Sequence, residues 1–166
     1  MNILPIALTP KRILLIGAGK AAALKARAVL ASDCELAVIA REVCDPFFQG
    51  FAALRLKAFE PEDARGWEIV INATGDGALS RRLWDERKTY GYWLNCVDQP
   101  EYCDFYFGAT YRNHDLCVSV STGGASPSYA QWVRDRVAGV VPERDEGFYR
   151  GLRVGRRNGD HVALRT

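Results

Sequence analysis

The sequence contains no CxxC pair and only five cysteines, an odd number. A disulfide framework or a zinc ribbon is therefore disfavoured, because both need cysteines in regular pairs. We expect reduced thiols that serve mostly as small core residues. The alternative is a metal site built from Cys103, His114 and Cys117, and we predict that no metal is bound.

Strong charge and long apolar segments are also lacking. A formal net charge of +2 on 166 residues does not point to nucleic acid or to a membrane surface. No apolar run approaches the ~20 residues of a spanning helix, and the N-terminal segment lacks the pattern of a signal peptide. We expect a cytoplasmic protein with no nucleic-acid or membrane partner. Hydrophobic residues make up 48% of the chain, which allows a sizeable core.

Strand-like and helix-like segments alternate from residue 13 to residue 97. The continuous apolar run Ile13–Ile16 is typical of a strand buried in a parallel sheet. A helix is predicted over 20–31, with a buried face and an outer face. The buried face consists of Ala22, Ala26, Val29 and Leu30, and the outer face of Lys20, Lys25 and Arg27. Further strands are predicted at 35–40, 52–58, 67–74 and 91–97, with a helix over 79–89.

This alternation predicts an α/β fold, a Rossmann-like doubly wound parallel sheet with ligands at the carboxyl ends of its strands. After Asp98 the pattern changes to two strands, at 104–111 and 114–122. A helix follows, with Ser126 as N-cap and Pro127 in its first turn, and Pro142 ends it. One face of this helix is apolar, formed by Tyr129, Trp132, Val133, Val137 and Val140. We therefore divide the chain into a dinucleotide-binding domain (1–100), a small α+β dimerisation region (101–142) and a short tail (143–166).

The turn after the first strand reads Gly17-Ala18-Gly19-Lys20-Ala21-Ala22, a GxGxxA form of the dinucleotide fingerprint. Gly17 permits a sharp turn, Gly19 lets a pyrophosphate approach the backbone, and Ala22 lets the helix lie close to the sheet. The pyrophosphate would bind at the helix N-terminus. The turn predicts a bound dinucleotide, and the alternative is a purely structural corner.

An acidic residue is expected where the second strand ends, because it would bind the ribose hydroxyls. Glu42 occupies this place and favours NAD as the cofactor. Arg41 beside it leaves NADP open, since a guanidinium could pair with a 2′-phosphate. The alternative for both residues is a solvated surface pair.

Several segments together resemble the N-terminal module of siroheme synthase, the precorrin-2 dehydrogenase and sirohydrochlorin ferrochelatase family. They are LPIAL (4–8), GAGKAAALKARAVL (17–30), NATGD (72–76), NCVDQPEYCDFYF (95–107) and VSVSTGGASP (118–127). The resemblance covers roughly residues 3–142. It implies a homodimer that oxidises precorrin-2 to sirohydrochlorin with NAD⁺, and in many members also inserts ferrous iron.

The resemblance also implies roles for individual residues. Thr74 and Asp76 match a segment beside the cofactor, although Gly75 replaces an aspartate there. Asp98 matches the aspartate implicated in catalysis. A carboxylate near the macrocycle could accept the proton that the macrocycle loses on oxidation. The substrate loop matches at Thr122, Gly123, Gly124 and Ser126, whose N–H groups could bind a carboxylate of the tetrapyrrole.

Other interpretations of these residues stay open. Asp98 could be a turn residue, and the loop at 121–126 an ordinary capped loop. The sequence ends at Thr166, where the family usually has a full helical domain, so we expect weak iron insertion. The alternative functions are a non-catalytic dinucleotide-binding regulatory domain and a subunit that depends on a partner.

Overall fold

The computed structural model describes residues 11–114 and 116–141, together with Gly147 and Arg150. The predicted tail apart from these two residues, the LPIAL segment and Pro142 lie outside the described residues. The chain divides into two units. The first includes the described residues up to Gly108 and the loop Ser121–Ser126; the second includes Ala109–Val120 and the chain from Pro127 onward.

The first unit is built on a five-stranded parallel sheet with the order β3-β2-β1-β4-β5. The strands are β1 (Arg12–Ile16), β2 (Glu35–Ala40), β3 (Leu54–Leu56), β4 (Ile69–Asn72) and β5 (Trp93–Cys96). β1 lies at the centre, where Leu14 is in register with Ala37 of β2 and Val70 of β4. Successive strands are added on one side of β1 as far as β3, and on its other side from β4 onward. Doubly wound sheets bind ligands in the crevice between β1 and β4, where the strand order reverses. The predicted Rossmann-like fold is confirmed.

Two helices cover this sheet, α1 (Lys20–Leu30) and α2 (Gly77–Tyr90). The connections around β3 contain only the short 3-10 turns Pro46–Phe48 and Pro61–Ala64. α2 has defined ends, because Asp76 caps its first turn and Gly91 closes it in the left-handed conformation.

A separate apolar core lies on each face of the sheet. On the α1 face, Ala22, Ala26 and Val29 pack with strand residues and with the fully buried Phe48. On the α2 face, Leu83 packs with Leu94 and other strand residues. The small alanines of α1 let this helix lie close to the strands.

The predicted faces of α1 need two corrections. Leu30, predicted to be buried, is 49% exposed because α1 ends there, and Ala23 is buried on the inner face. Lys25, predicted to face outward, is half-buried. The periodicity of the sequence placed Lys25 with the charged residues, because a long side chain that bends back to the protein leaves no trace in that pattern.

The segment after β5 also differs from the prediction. Residues 104–108, predicted as part of a strand, belong to no strand in this part of the structure. Asp104 nevertheless pairs with Leu94 of β5 through its backbone N–H and its carboxylate, at 2.8 and 2.9 Å. The Asn95 amide donates to the Phe105 carbonyl at 2.9 Å. These bonds attach the segment to the first unit, which extends past the predicted boundary at residue 100.

The second unit contains a β-hairpin and a helix. β6 (Ala109–Asn113) pairs antiparallel with β7 (Leu116–Val120), and α3 (Pro127–Val140) packs on the hairpin. Ala130 is the buried residue of α3. Three residues of its predicted apolar face are exposed, namely Tyr129, Trp132 and Val140. No helix in the described ranges is long and apolar enough to cross a membrane.

Replacement of Leu83 by alanine tests the α2 core. Leu83 is fully buried, so Leu83→Ala should lower the free energy of unfolding by about 2–5 kcal/mol. Leu24→Ala is the matched control, because Leu24 is 70% exposed on α1, and it should change stability by at most about 0.5 kcal/mol. Urea denaturation followed by circular dichroism measures both. Equal losses for the two variants would contradict the assignment of the core.

Candidate functional site

The glycine turn connects β1 to α1 at the carboxyl edge of the sheet. Gly17 has φ +109°, and its N–H donates to the Ile39 carbonyl at 2.8 Å. A Cβ built there would lie 3.0 Å from the Ala73 carbonyl oxygen, on the loop after β4. Both the backbone conformation and the close approach of this loop therefore require glycine at residue 17.

Gly19 differs, because nothing within the chain requires a glycine there. It is the N-cap of α1 with an extended backbone at φ −98°, and a Cβ built on it would have no atom within 4 Å. The first turn of α1 has no side-chain cap and no acidic residue. The N–H groups of this first turn therefore have no side-chain acceptor from their own helix. This cradle fits the pyrophosphate of a dinucleotide, which binds against bare backbone at a helix N-terminus.

The other residues of the turn connect it to its surroundings. Ala22 is fully buried, and Lys20 is exposed in the first turn of α1. The carbonyl of buried Ala18 accepts hydrogen bonds from the N–H groups of Cys44 and Asp45, both at 3.0 Å. The turn is thereby held against the loop that follows β2. Ala21 is half-buried beside Ala22.

Glu42 lies in this loop after β2, as the sequence predicts. Its side chain is exposed, as is that of Arg41. Desolvation, and then the charge and hydrogen bond of Glu42, raise the pKa of the Cys44 thiol above its ordinary value. The Glu42 carboxylate therefore lies near Cys44, whose backbone N–H donates to the Ala18 carbonyl of the glycine turn.

The loop after β4 is organised by a buried amide that the sequence did not single out. Asn72 donates through Nδ2 to the Ser80 hydroxyl at 2.8 Å. Its Oδ1 accepts from the Thr74 hydroxyl at 2.8 Å and from the Thr74 N–H at 3.2 Å. Thr74 Oγ1 in turn accepts from the Asp76 N–H at 3.2 Å. A polar residue inside an apolar strand was the signal that could have identified Asn72.

Asp76 has a structural task at the start of α2. One of its carboxylate oxygens accepts from the N–H groups of Ala78 and Leu79, at 2.9 and 3.1 Å. This is the geometry of a helix N-cap. The roles of Asp76 and Thr74 toward a cofactor stay predictions, and Thr74 is an exposed residue of the same loop.

Asp98 stands one residue beyond Val97 at the carboxyl end of β5. Its φ is +63°, the left-handed region that side chains rarely adopt. The side chain is exposed, and among the described residues no hydrogen bond or ion pair holds its carboxylate. A residue in such a conformation at the ligand-binding edge of a sheet is a candidate for function.

The second glycine loop, Ser121–Ser126, belongs to the unit of the parallel sheet. The Thr122 hydroxyl accepts from the Ser126 N–H at 2.9 Å, and the Ser121 hydroxyl from the Gly123 N–H at 3.1 Å. Gly123 and Gly124 both have positive φ.

Tyr106 connects this loop to the turn that contains Asp98. A Cβ on Gly124 would lie 3.4 Å from the Tyr106 ring, whose hydroxyl donates to the Pro100 carbonyl at 3.0 Å. Sequence reasoning missed this tyrosine, because only the fold brings residues 100, 106 and 124 together. It gives the two candidate substrate segments a common support.

The predicted absence of a metal site stays a prediction. Among the described residues, no three His, Cys, Asp or Glu side chains form a cluster that could hold a metal ion. Cys103 is buried, and its thiol donates to the Cys96 carbonyl at 3.2 Å. Cys117 lies on the hairpin of the second unit and is exposed.

Curated relatives of this chain are siroheme synthases. That of Methylococcus capsulatus is 34% identical over 150 residues, which make up 87% of this chain and 32% of the relative. That of Photorhabdus laumondii is 31% identical over 148 residues, 86% of this chain and 32% of the relative. The chain spans about a third of the length of these relatives.

Among solved structures, that of SirC, precorrin-2 dehydrogenase, has the same fold. The TM-score is 0.75 at 18% sequence identity, and the match covers 100% of this chain and 84% of SirC. Together with the siroheme synthase relatives, it confirms the resemblance predicted from the sequence. A family model described as NAD(P)-binding matches residues 4–109, which contain the glycine turn, Glu42 and Asp98. By this match the chain belongs to that NAD(P)-binding family.

Proposed function

We propose that this chain oxidises precorrin-2 to sirohydrochlorin with NAD⁺, as a step of siroheme biosynthesis. One observation carries the proposal. The glycine turn, Asp98 and the loop Ser121–Ser126 belong to a single unit, although that loop follows the β-hairpin in sequence. A domain that only sensed a dinucleotide would need the glycine turn and Glu42 but neither Asp98 nor the second loop.

The reaction removes a hydride and a proton from the substrate. A dinucleotide held at the Gly17–Ala22 turn would supply the hydride acceptor. Asp98 accepts the proton, because its exposed carboxylate lies at the edge of the sheet where substrate would bind, and no described residue neutralises it by an ion pair. The Thr122 hydroxyl accepts from the Ser126 N–H and donates its own proton to a carboxylate of the macrocycle.

We propose NAD rather than NADP as the cofactor. The Glu42 carboxylate can accept hydrogen bonds from both ribose hydroxyls, and it would repel a 2′-phosphate. Arg41 is the group that would favour NADP, and both side chains are exposed after β2. Iron insertion into sirohydrochlorin and the predicted cytoplasmic location stay predictions.

Substitution of Gly19 tests cofactor binding. Gly19→Val would fill the open space at the start of α1, so NAD⁺ affinity should fall at least tenfold (~1.4 kcal/mol) while the fold is kept. Isothermal titration calorimetry measures this, and the parent chain should bind NAD⁺ more tightly than NADP⁺.

The control for this variant is Gly139→Val. Gly139 also has open space around its Cβ position, but it lies in α3 of the second unit. This variant should keep the parental NAD⁺ affinity. Unchanged affinity in Gly19→Val would reject the assignment of the cradle.

Substitution of Asp98 tests the proton acceptor. Asp98→Asn should keep NAD⁺ affinity and lower the rate of precorrin-2 oxidation by ~10²-fold or more, the usual scale for loss of a general base. The rate is followed at the absorbance of sirohydrochlorin. Glu101→Gln is the control, because Glu101 is an exposed acid three residues further along. Oxidation by Asp98→Asn at the parental rate would remove Asp98 from the mechanism.

We also propose that the chain forms a homodimer through its second unit. The resemblance implies a dimerisation region here, and Leu116, Trp132 and Val140 are exposed on it. Large apolar residues grouped on one small unit are typical of a surface that another chain covers. A second copy of the same unit is the partner that the resemblance implies.

Substitution of Trp132 tests the dimer. Light scattering at micromolar concentration should give the mass of two chains for the parent and of one chain for Trp132→Asp, because burial of a carboxylate in the interface is unfavourable. Leu24→Asp is the control, since Leu24 is a similarly exposed apolar residue of the first unit. A monomeric parent would contradict the proposal.

A further inference from the structure

Lys25 is a half-buried lysine one turn beyond the cofactor cradle. It lies in α1, where Leu24 and Arg27 are exposed. Burial lowers the pKa of its ammonium, and the neighbouring Cys103 and Asp98 oppose this effect. The Nζ lies 4.4 Å from the centroid of the Phe107 ring, a cation–π contact. The ammonium is therefore held toward the segment that follows β5.

The partners of Lys25 are incomplete in comparison with those of other lysines. Lys11 forms an ion pair with Glu68 at 2.7 Å, and Lys57 with Asp63 at 2.9 Å. Within residues 11–114 and 116–141, no carboxylate or other acceptor pairs with the Lys25 ammonium. A partly desolvated cation needs an anionic or hydrogen-bonding partner to offset its loss of hydration. Lys25 thus has three N–H donors and an unmet need for an acceptor.

The surroundings indicate what kind of acceptor fits. Asp98 is close enough to attract the Lys25 ammonium, but no ion pair joins them. Phe107 is 37% exposed and presents an aromatic ring beside the ammonium. A ligand with an apolar ring face and a carboxylate arm would satisfy both groups, while its ring edge stays near Asp98.

We propose that Lys25 is a substrate-binding residue, which pairs with a carboxylate of the polycarboxylated macrocycle and holds its reacting edge at Asp98. This inference rests on the proposed function and extends it by naming the anchor for one arm of the substrate. Lys25 does not transfer the proton. It acts through the placement of the substrate, which is where a fixed ion pair contributes to the rate.

The experiment uses sirohydrochlorin, the reaction product, as a binding probe that requires no turnover. Lys25→Met removes the charge and keeps an apolar stem against Phe107, so the dissociation constant of sirohydrochlorin should rise about tenfold or more. Lys25→Arg keeps the charge and should stay within about threefold of the parent. Lys88→Met removes the same charge at an exposed site of α2 and should have no effect. The affinity for NAD⁺ should be unchanged in all three variants.

The outcomes separate this inference from the proposed function. A parent chain that neither binds sirohydrochlorin nor oxidises precorrin-2 would overturn the proposed function, and this inference with it. Parental affinity in Lys25→Met would overturn the inference alone. A shifted pH profile of oxidation with unchanged sirohydrochlorin affinity would also overturn it, since Lys25 would then act on Asp98. A loss of affinity that Lys25→Arg restores, with the parental melting temperature in both variants, supports the salt bridge to substrate.

Discussion

The close approach of the chain at Gly17 to the Ala73 carbonyl is the constraint on which the candidate site depends. A Cβ at residue 17 would lie 3.0 Å from that oxygen, so the exits of β1 and β4 can only be this close around a glycine. The crevice between these exits is the place where the doubly wound sheet changes direction. The glycine turn that forms the cofactor cradle begins where β1 ends, and the loop that contains Thr74 and Asp76 begins where β4 ends. Asp98 follows from the next strand along the same edge.

The sequence predicted the parts of this arrangement that depend on local pattern. An apolar strand, two glycines and a small-residue helix are local features, and the structure has β1, the turn and α1 where the pattern indicates. The loop after β4 depends instead on Asn72, whose amide organises Thr74 from inside the core. The same amide also donates to the Ser80 hydroxyl, eight residues away in the first turn of α2, and this bond fixes its orientation. Such a network has no sequence signature beyond one polar residue in an apolar run.

Lys25 and the segment after β5 show a second limit of pattern-based prediction. Residues 104–108 look like a strand because they contain three consecutive aromatic residues, which favour strands. In the structure, the Asp104 carboxylate instead accepts a hydrogen bond from the backbone N–H of Leu94. With this carboxylate in place of a strand partner, Phe105 packs on the core of the α1 face and Phe107 lies beside Lys25 of α1. The same placement supplies the aromatic ring against which Lys25 lies. The burial of Lys25 is thus a consequence of tertiary structure that helical periodicity cannot report.

The two glycine loops differ in what their glycines accomplish. Gly19 has an ordinary backbone conformation and open space around it, so a ligand is the best physical reason for the missing side chain. Gly123 and Gly124 have φ of 64° and 89°, and Gly124 also faces the Tyr106 ring, so the loop itself requires them. The two glycines of the second loop are thus explained without a ligand. A ligand must therefore contact other groups of this loop. Thr122 is the strongest candidate, because a hydroxyl that accepts from the Ser126 N–H still has its own proton to donate to a carboxylate.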